Sequence, residues 1–556
     1  MEIRKLNDEL SVSPQILMED MAALKAAGFR AVVCNRPDGE GSDQPLFSEI
    51  EDAARAAGLE AHYLPAEPGK VTDQQGTDFG SLLAGLPKPV LAYCRTGMRS
   101  ATMWALSQSG KLPLTEILQT SSSAGYDLKA VVRRIVNKGK TPLEAVEATH
   151  QIVIVGAGAA GISVAASLLA RDASLDIAIV DPADIHYYQP GWTLVGAGVF
   201  QPKQTARTMA SLIPRGVHWI KAAVAAFEPD NNAIILDGCR VVKYQQLVVC
   251  PGLKLNWGAV EGLSETLGRN GVTSNYLYHL APYTWELVQK LRGGRALFTQ
   301  PPMPIKCAGA PQKSMYLSAD HWLRSGVLDK IEIDFCNAGA VLFGVPEYVP
   351  ALNEYVAKYG INLQFSHNLT AIDGPGRIAT FSRSNADGSK ETIQQSFDMI
   401  HVVPPQVAPD FIRVSPLADA AGWIDVDQST LRHKRFANVH ALGDATNSPN
   451  AKTAAAARKQ APVVAHNVLA EMGMVNTYAR YDGYGSCPLT VERGKIVLAE
   501  FLYGGKVAPS FPKWLIDGTR PSRLAWLLKE RILPPLYWQG MLKGREWLAE
   551  PEMTDR

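Results

Sequence analysis

Apolar residues fall into two kinds of run along this chain: short continuous strings of four or five, and longer stretches recurring every three or four positions. Ile152-Val-Ile-Val155 runs straight into Gly156-Ala-Gly-Ala-Ala-Gly161 and the helical stretch Ile162 to Leu169. The next string, Ile177-Ala-Ile-Val180, ends in Asp181. Continuous strings bounded by turn residues predict buried strands of a parallel sheet, and the 3.6-residue period predicts the covering helices. The same alternation predicts a compact unit over 1–112: a helix over Ile16 to Ala27, a strand Arg30 to Cys34, a helix over Leu46 to Ala57, His62-Tyr-Leu, and a strand Val90 to Tyr93. Residues 113–149 are polar and only partly helical (Leu128 to Ile135), which predicts a linker. The whole reads as an α/β protein of several domains.

The first glycine cluster carries recognisable chemistry. Gly156 makes the tight turn, Gly158 lets the backbone approach a pyrophosphate, and Gly161 lets helix and strand pack closely. Asp181 stands where it can accept from ribose hydroxyls. Strand, turn, helix and acid together predict a dinucleotide site. In flavoproteins with two dinucleotide domains the first is interrupted by the second. The return here is Val439-His-Ala-Leu-Gly443-Asp444, whose acid is placed for a flavin ribityl chain. The expected domains are therefore 150–261 with 401–475, an insert over 262–400, and a C-terminal region 476–556. The insert opens with Arg295 to Thr299, but Gln300-Pro-Pro-Met-Pro304 follows where a second glycine fingerprint belongs. Prolines fix φ and lack amide donors, so this turn is not expected to bind NAD(P)H. Cys307 stands there instead, with Lys306 as the charge expected to favour its thiolate.

Bulk properties narrow the partners. The net charge of +1 and the absence of a basic run exclude a general nucleic-acid binder. Seven scattered cysteines do not form a disulfide framework. With the charged start Met1-Glu-Ile-Arg-Lys, they predict a reducing, cytoplasmic setting. No run approaches the ~20 apolar residues of a membrane span. No metal-ligand spacing occurs among the eleven histidines, so no metal is expected.

Lys306-Cys307-Ala-Gly-Ala-Pro-Gln-Lys313, Tyr187-Tyr-Gln-Pro-Gly-Trp-Thr-Leu-Val-Gly-Ala-Gly198, Ala420-Ala-Gly-Trp-Ile-Asp-Val-Asp427, Lys452-Thr453-Ala-Ala-Ala456, Tyr481-Asp-Gly-Tyr-Gly-Ser-Cys-Pro-Leu489 and Leu536-Tyr-Trp538 resemble sulfide:quinone oxidoreductases of the mitochondrial type over 150–548. The resemblance implies FAD, held by Gly156, Gly158, Gly161, Asp181, Gly443, Asp444, Lys452 and Thr453. It also implies electrons passing from sulfide or a small persulfide to membrane quinone, and sulfur carried on Cys307. In that family a second redox cysteine is expected after the Gly-Asp motif, and here that position is Ala445. Cys307 is therefore expected to lack its partner. Cys250 and Cys487 are alternatives, each read as structural, as are Cys34 and Cys336 in apolar strands. Cys239 lies near a turn.

Two segments remain. Tyr93-Cys94-Arg-Thr-Gly97-Met-Arg99-Ser100 places a cysteine and an arginine in a loop between strand and helix, an anion nest that favours thiolate. The loop length matches sulfurtransferases of the rhodanese type. With Asn35-Arg-Pro-Asp38-Gly-Glu40 the unit also resembles the phosphatase-like domain found beside sulfur-metabolising hydrolases, for which Asp38 is the general-acid candidate. Between Phe511 and Leu548 lie Trp514, Trp526, Trp538 and Trp547, with seven Lys/Arg against three Asp/Glu. Short amphipathic helices of that composition predict a peripheral membrane surface and quinone region, on the inner face of the cell membrane. Two other functions stay open: a soluble NAD(P)H-dependent persulfide or disulfide reductase, and a regulatory flavoprotein that lost sulfide turnover. Homo-oligomerisation is open as well.

Overall fold

The computed structural model describes residues 2–41, 44–142, 146–237, 240–385 and 387–555, which places Cys239 outside the described residues. The chain divides into two compact units. One comprises 1–149, 223–243 and 414–416; the other comprises 150–222, 244–413 and 417–556.

The smaller unit is a five-stranded sheet in the order Arg4–Lys5, Leu10–Ser13, Val90–Tyr93, Ala31–Cys34, Glu60–Tyr63. All pairings are parallel except the first. Its two central strands, Val90–Tyr93 and Ala31–Cys34, are apolar and buried at every position because both faces are covered. Ala31, Val33, Val90 and Ala92 point to one side, onto Phe79, Met103 and Trp104 of the helices Asp73–Gly85 and Met98–Gln108. Val32, Cys34, Leu91 and Tyr93 point to the other, onto Leu24 and Ile50 of Met21–Ala26 and Phe47–Ala56. The expected linker is largely part of this unit. Leu114–Ser123 and Val132–Val136 are helices, and their Ile117 and Ile135 join Tyr126 and Leu128 in the first of these cores. The polar composition hid these sparsely spaced anchors.

The larger unit holds the parallel strands of a seven-stranded mixed sheet and a second, all-parallel sheet. In the first, Val217–Ile220, Ile177–Val180, Val146–Val155, Val241–Val249 and Val439–Ala441 lie side by side, the last strand arriving after the insertion. Helix Ala159–Arg171 follows the glycine turn, and Ala454–Glu471 follows the return strand. In the second, Val272–Thr273, Met399–His401, Gly294–Gln300, Ile331–Asn337 and Asn362–Phe365 are all parallel. The loop after Gly294–Gln300 feeds helix Ala310–Arg324. An antiparallel hairpin, Gly485–Glu492 with Lys495–Phe501, packs its Cys487, Leu489 and Val497 into the core around this helix. A helical run over 523–543 follows, and strand Glu552–Asp555 then pairs antiparallel with Thr477–Arg480.

Candidate functional site

The glycine turn has the shape that a dinucleotide phosphate needs. Gly156 has φ +101°, and a Cβ there would stand 2.6 Å from the Cys250 carbonyl oxygen; one at Gly161 would stand 1.8 Å from Gly156 O. Both positions are sealed against side chains. At Gly158 a Cβ would meet nothing within 4 Å, an open cradle at the start of the helix. Asp181 accepts from the Ala157 amide at 2.7 Å and from Ala183 N at 2.8 Å, so it braces the turn as well as facing the site. Gly443 N donates to Gln460 Oε1 at 2.8 Å. Burial raises the Asp444 carboxyl pKa above its usual range, opposed by Lys452 and Lys306. Lys452 is buried, donates to the carbonyls of Asp444 and Thr446 at 2.9 and 2.8 Å, and lies 4.3 Å from the Trp423 ring centroid. Thr453 caps helix Ala454–Glu471 through Ala456 N. These residues fit a dinucleotide such as FAD, with phosphates at Gly158 and the Gly443–Asp444 turn at the other end.

The proline loop delivers a thiol. Cys307 sits at φ +48°, a left-handed turn for a non-glycine residue, pinned by Cys307 N to Lys452 O at 2.8 Å and Ala310 N to Cys307 O at 2.7 Å. This reversal lets helix Ala310–Arg324 aim its first turn back at the sulfur. Lys313 Nζ stands 3.1 Å from Cys307 Sγ and is 2% exposed. Lys306, the charge expected from sequence, turns away: its Nζ donates to Gln189 Oε1 at 2.5 Å, over the rings of Trp192 and Tyr276. Burial lowers its pKa to about 8. Adjacency in sequence misled because the left-handed turn points residues 306 and 307 apart.

The expectation that Cys307 lacks a partner is also corrected. Cys487 Sγ lies 3.9 Å from Cys307 Sγ, brought in from the hairpin. The packing is tight, since a Cβ on Gly309 would stand 2.5 Å from Cys487 Sγ. Hydrogen bonding from Cys487, helped by the Lys313 charge, holds Cys307 well below the usual thiol range against the cost of burial. The same hydrogen bond and burial push Cys487 up. One proton is thus shared unequally, and the thiolate is Cys307. A second ammonium stands nearby: Lys529 is 4% exposed, donates to Pro190 O at 3.3 Å, and has its pKa lowered to about 7 by burial and by Lys313. The sequence reading gives neither Lys313 nor Lys529 a role, although Lys313 ends one of the strings that carry the family resemblance. Cys250 is buried against Gly156 O, and Cys34 and Cys336 are buried in strands.

In the smaller unit, Gly97 N donates to Cys94 Sγ at 3.1 Å, and Cys94 is buried. Arg99 forms a bidentate pair with Glu40 (2.6 and 2.8 Å) and donates to Ala66 O at 2.6 Å, while Arg36 Nε reaches Glu40 Oε1 at 3.1 Å. Arg99 first of all lowers the Glu40 pKa. Three of the five guanidinium N–H groups of Arg99 are thereby engaged. Asp38, the expected general acid, is exposed and accepts from Phe47 N at 2.8 Å, capping the following helix. Glu40, two residues on, is the carboxylate the structure brings to Arg99. Its side chain is inward where that of Asp38 is outward.

In the C-terminal segment only part of the aromatic set faces out. Trp514 is 84% and Trp547 57% exposed, with Leu515, Leu524, Leu527, Ile532 and Leu548 also exposed. Trp526, Tyr537 and Trp538 are buried, the last two against His186 and Tyr188. Among the described residues no helix is long and apolar enough to cross a membrane, and no cluster of His, Cys, Asp or Glu could hold a metal ion.

Residues 2–111 match the family described as "Beta-lactamase hydrolase-like protein, phosphatase-like domain", and residues 150–282 match "Pyridine nucleotide-disulphide oxidoreductase". Over 403 residues the chain is 43% identical to the mitochondrial sulfide:quinone oxidoreductase of Dictyostelium discoideum, covering 72% of this chain and 87% of that protein. A beta-lactamase hydrolase-like protein of Agrobacterium fabrum is 30% identical over 135 residues, 24% of this chain and 31% of that protein. Among solved structures, the sulfide:quinone oxidoreductase of Aquifex aeolicus shares the fold, with TM-score 0.60 at 17% identity over 73% of this chain and 98% of that one.

Proposed function

The chain belongs to the sulfide:quinone oxidoreductase family, and from that premise we propose how its residues divide the work. It is an FAD-dependent enzyme that oxidises sulfide and uses quinone as acceptor. Gly156, Gly158, Gly161, Asp181, Gly443, Asp444, Lys452 and Thr453 hold the cofactor.

The observation that carries the sulfur chemistry is the asymmetric pair of Cys307 and Cys487, 3.9 Å apart beside Lys313. Closing to a disulfide needs the sulfurs to approach to about 2 Å. Hydrosulfide then attacks the Cys487 sulfur, because the lower-pKa thiolate leaves faster and that thiolate is Cys307. The S–S bond breaks, an S–S bond forms, and the products are a Cys487 persulfide and the Cys307 thiolate. In this scheme the sulfur is carried on Cys487, whereas the sequence reading expects it on Cys307. An external small thiolate takes the outer sulfur, and reoxidation of the two thiols releases two electrons. FAD supplies the two-electron acceptance there, with quinone as the final oxidant. The exposed apolar residues of 511–548 serve as a peripheral membrane face. Cys94 acts as a second thiol that takes sulfur from a small-thiol persulfide, releasing the thiolate. Its support is the Gly97 amide on the sulfur and the held guanidinium of Arg99.

Anaerobic flavin spectroscopy tests this reading. Sulfide should bleach the flavin and NADH should not. Cys307→Ser and Cys487→Ser should each abolish sulfide-driven bleaching while Cys250→Ser retains it. Rapid bleaching by NADH, or full bleaching in Cys487→Ser, overturns it.

A further inference from the structure

The chain's last segment reaches the first glycine turn through one imidazole. His186 follows Asp181 by five residues and is buried; its Nδ1 is 3.2 Å from Ala157 O and its Nε2 is 2.6 Å from Tyr537 Oη. Burial lowers the His186 pKa, so the ring is neutral with a single N–H. The Ala157 carbonyl can only accept, so that N–H is on Nδ1. Nε2 therefore accepts, and the Tyr537 hydroxyl donates. Ala157 is the residue between Gly156 and Gly158, and its amide is already tied to Asp181. Its two flanking peptide groups are thus fixed, one by the acid of the fingerprint and the other by a tyrosine 380 residues downstream.

A second set of contacts runs the same way. Glu546 accepts from Arg171 at 2.5 and 3.0 Å and from Ser167 Oγ at 2.5 Å, both on the helix that begins at the glycine turn. Gly544 has φ +70°, and a Cβ there would stand 2.6 Å from Ala166 O, so the segment lies flush on that helix. Arg458, on the helix after Gly443–Asp444, donates to the Trp547 carbonyl. Residues 537–547 therefore grip both helices whose N-termini face the cofactor site.

We propose that this C-terminal segment is part of the cofactor-binding apparatus, with Tyr537 acting through His186 as a positioning residue for the Ala157 carbonyl. The proposal rests on the FAD reading above. A pre-set turn binds more tightly because less ordering is left to be done on binding. Linkage makes the effect mutual: what the segment does for FAD affinity, FAD does for seating of the segment.

The test uses full-length apoprotein titrated with FAD, read by quenching of flavin fluorescence, together with amide hydrogen exchange. Tyr537→Phe removes the donor and leaves a buried ring nitrogen unsatisfied, and should weaken FAD binding about tenfold. Tyr355→Phe, a buried tyrosine in the other sheet's core, should leave the affinity unchanged. FAD should slow exchange over 536–548 in the wild type and do so less in Tyr537→Phe. Should Tyr537→Phe fail to fold, Glu546→Gln tests the same coupling through Arg171. An affinity within twofold of wild type, or no protection of 536–548 by FAD, overturns the proposal. Wild-type apoprotein that binds no FAD at all refutes the flavin assignment instead, a distinguishable result.

Discussion

Replacing Lys313 by methionine should convert Cys307 from a thiolate into an ordinary buried thiol. The side chains are similar in length, so packing is kept and the charge alone is lost. At 3.1 Å and an effective dielectric constant of about 20, an ammonium and a thiolate attract by about 5 kcal/mol, equivalent to about 4 pKa units. Lys529 still supplies part of the field, and the Cys487 hydrogen bond remains, so the observed rise should be about 2–4 units. The assay is the pH dependence of Cys307 alkylation by iodoacetamide, quantified by peptide mass spectrometry. The half-point should move up by that amount, and sulfide-driven flavin bleaching should fall at pH 6 and recover toward pH 9. Recovery at high pH is the discriminating result, because a misfolded site would not regain activity by deprotonation. A half-point that moves by less than about half a unit would refute the electrostatic reasoning.

Lys529 should add its own ionisation: below about pH 7 it is charged and helps hold the thiolate, and above that it is neutral. Lys529→Met should remove a step near pH 7 from the same alkylation profile. Because its folded pKa lies below that of a free lysine, the unfolded chain binds the extra proton above pH 7. The wild type should thus gain stability with rising pH between about 7 and 10 relative to Lys529→Met, as measured by thermal melts. Gly158→Leu should leave the chain folded by circular dichroism and colourless, since the new side chain fills the open cradle; full yellow absorbance would contradict the placement. Trp514→Ser combined with Leu527→Ser should lower flotation with phospholipid vesicles without loss of flavin, whereas truncation would confound the two by removing buried Tyr537 and Trp538. Glu40→Ala should destabilise the smaller unit by about 3–5 kcal/mol, seen as an earlier unfolding transition, because it strands Arg36 and Arg99 in a buried setting.

The dinucleotide turn was legible because its evidence is local: four apolar residues, three glycines and an acid at fixed spacing. The absence of a second such turn was legible for the same reason, since Pro301, Pro302 and Pro304 announce themselves. What could not be read was which distant residues meet. Cys487 is 180 positions from Cys307, and although it is an alternative beside Cys250, nothing local shows that it is the one that meets Cys307. Lys306 and Lys313 were both visible, but choosing between them required the left-handed backbone at Cys307. Asp38 and Glu40 differ by a single alternation of side-chain direction in a loop, where periodicity gives no phase. In the C-terminal segment composition counted four tryptophans as equals, and packing turned two inward.

The proline turn after Gly294–Gln300 leads directly to Cys307. In two-dinucleotide flavoproteins that turn is the berth for a diffusing electron carrier, which arrives, reacts and departs. Under the function proposed above, Cys307 fills that berth, so the donor becomes a tethered side chain and only its small cargo comes and goes. Selectivity then resides in what can reach a buried thiol, not in recognition of an adenine or ribose. On that reading, nucleotide-shaped inhibitors should find no foothold at this turn, and compounds that intercept the enzyme there should be small, electrophilic or sulfur-reactive.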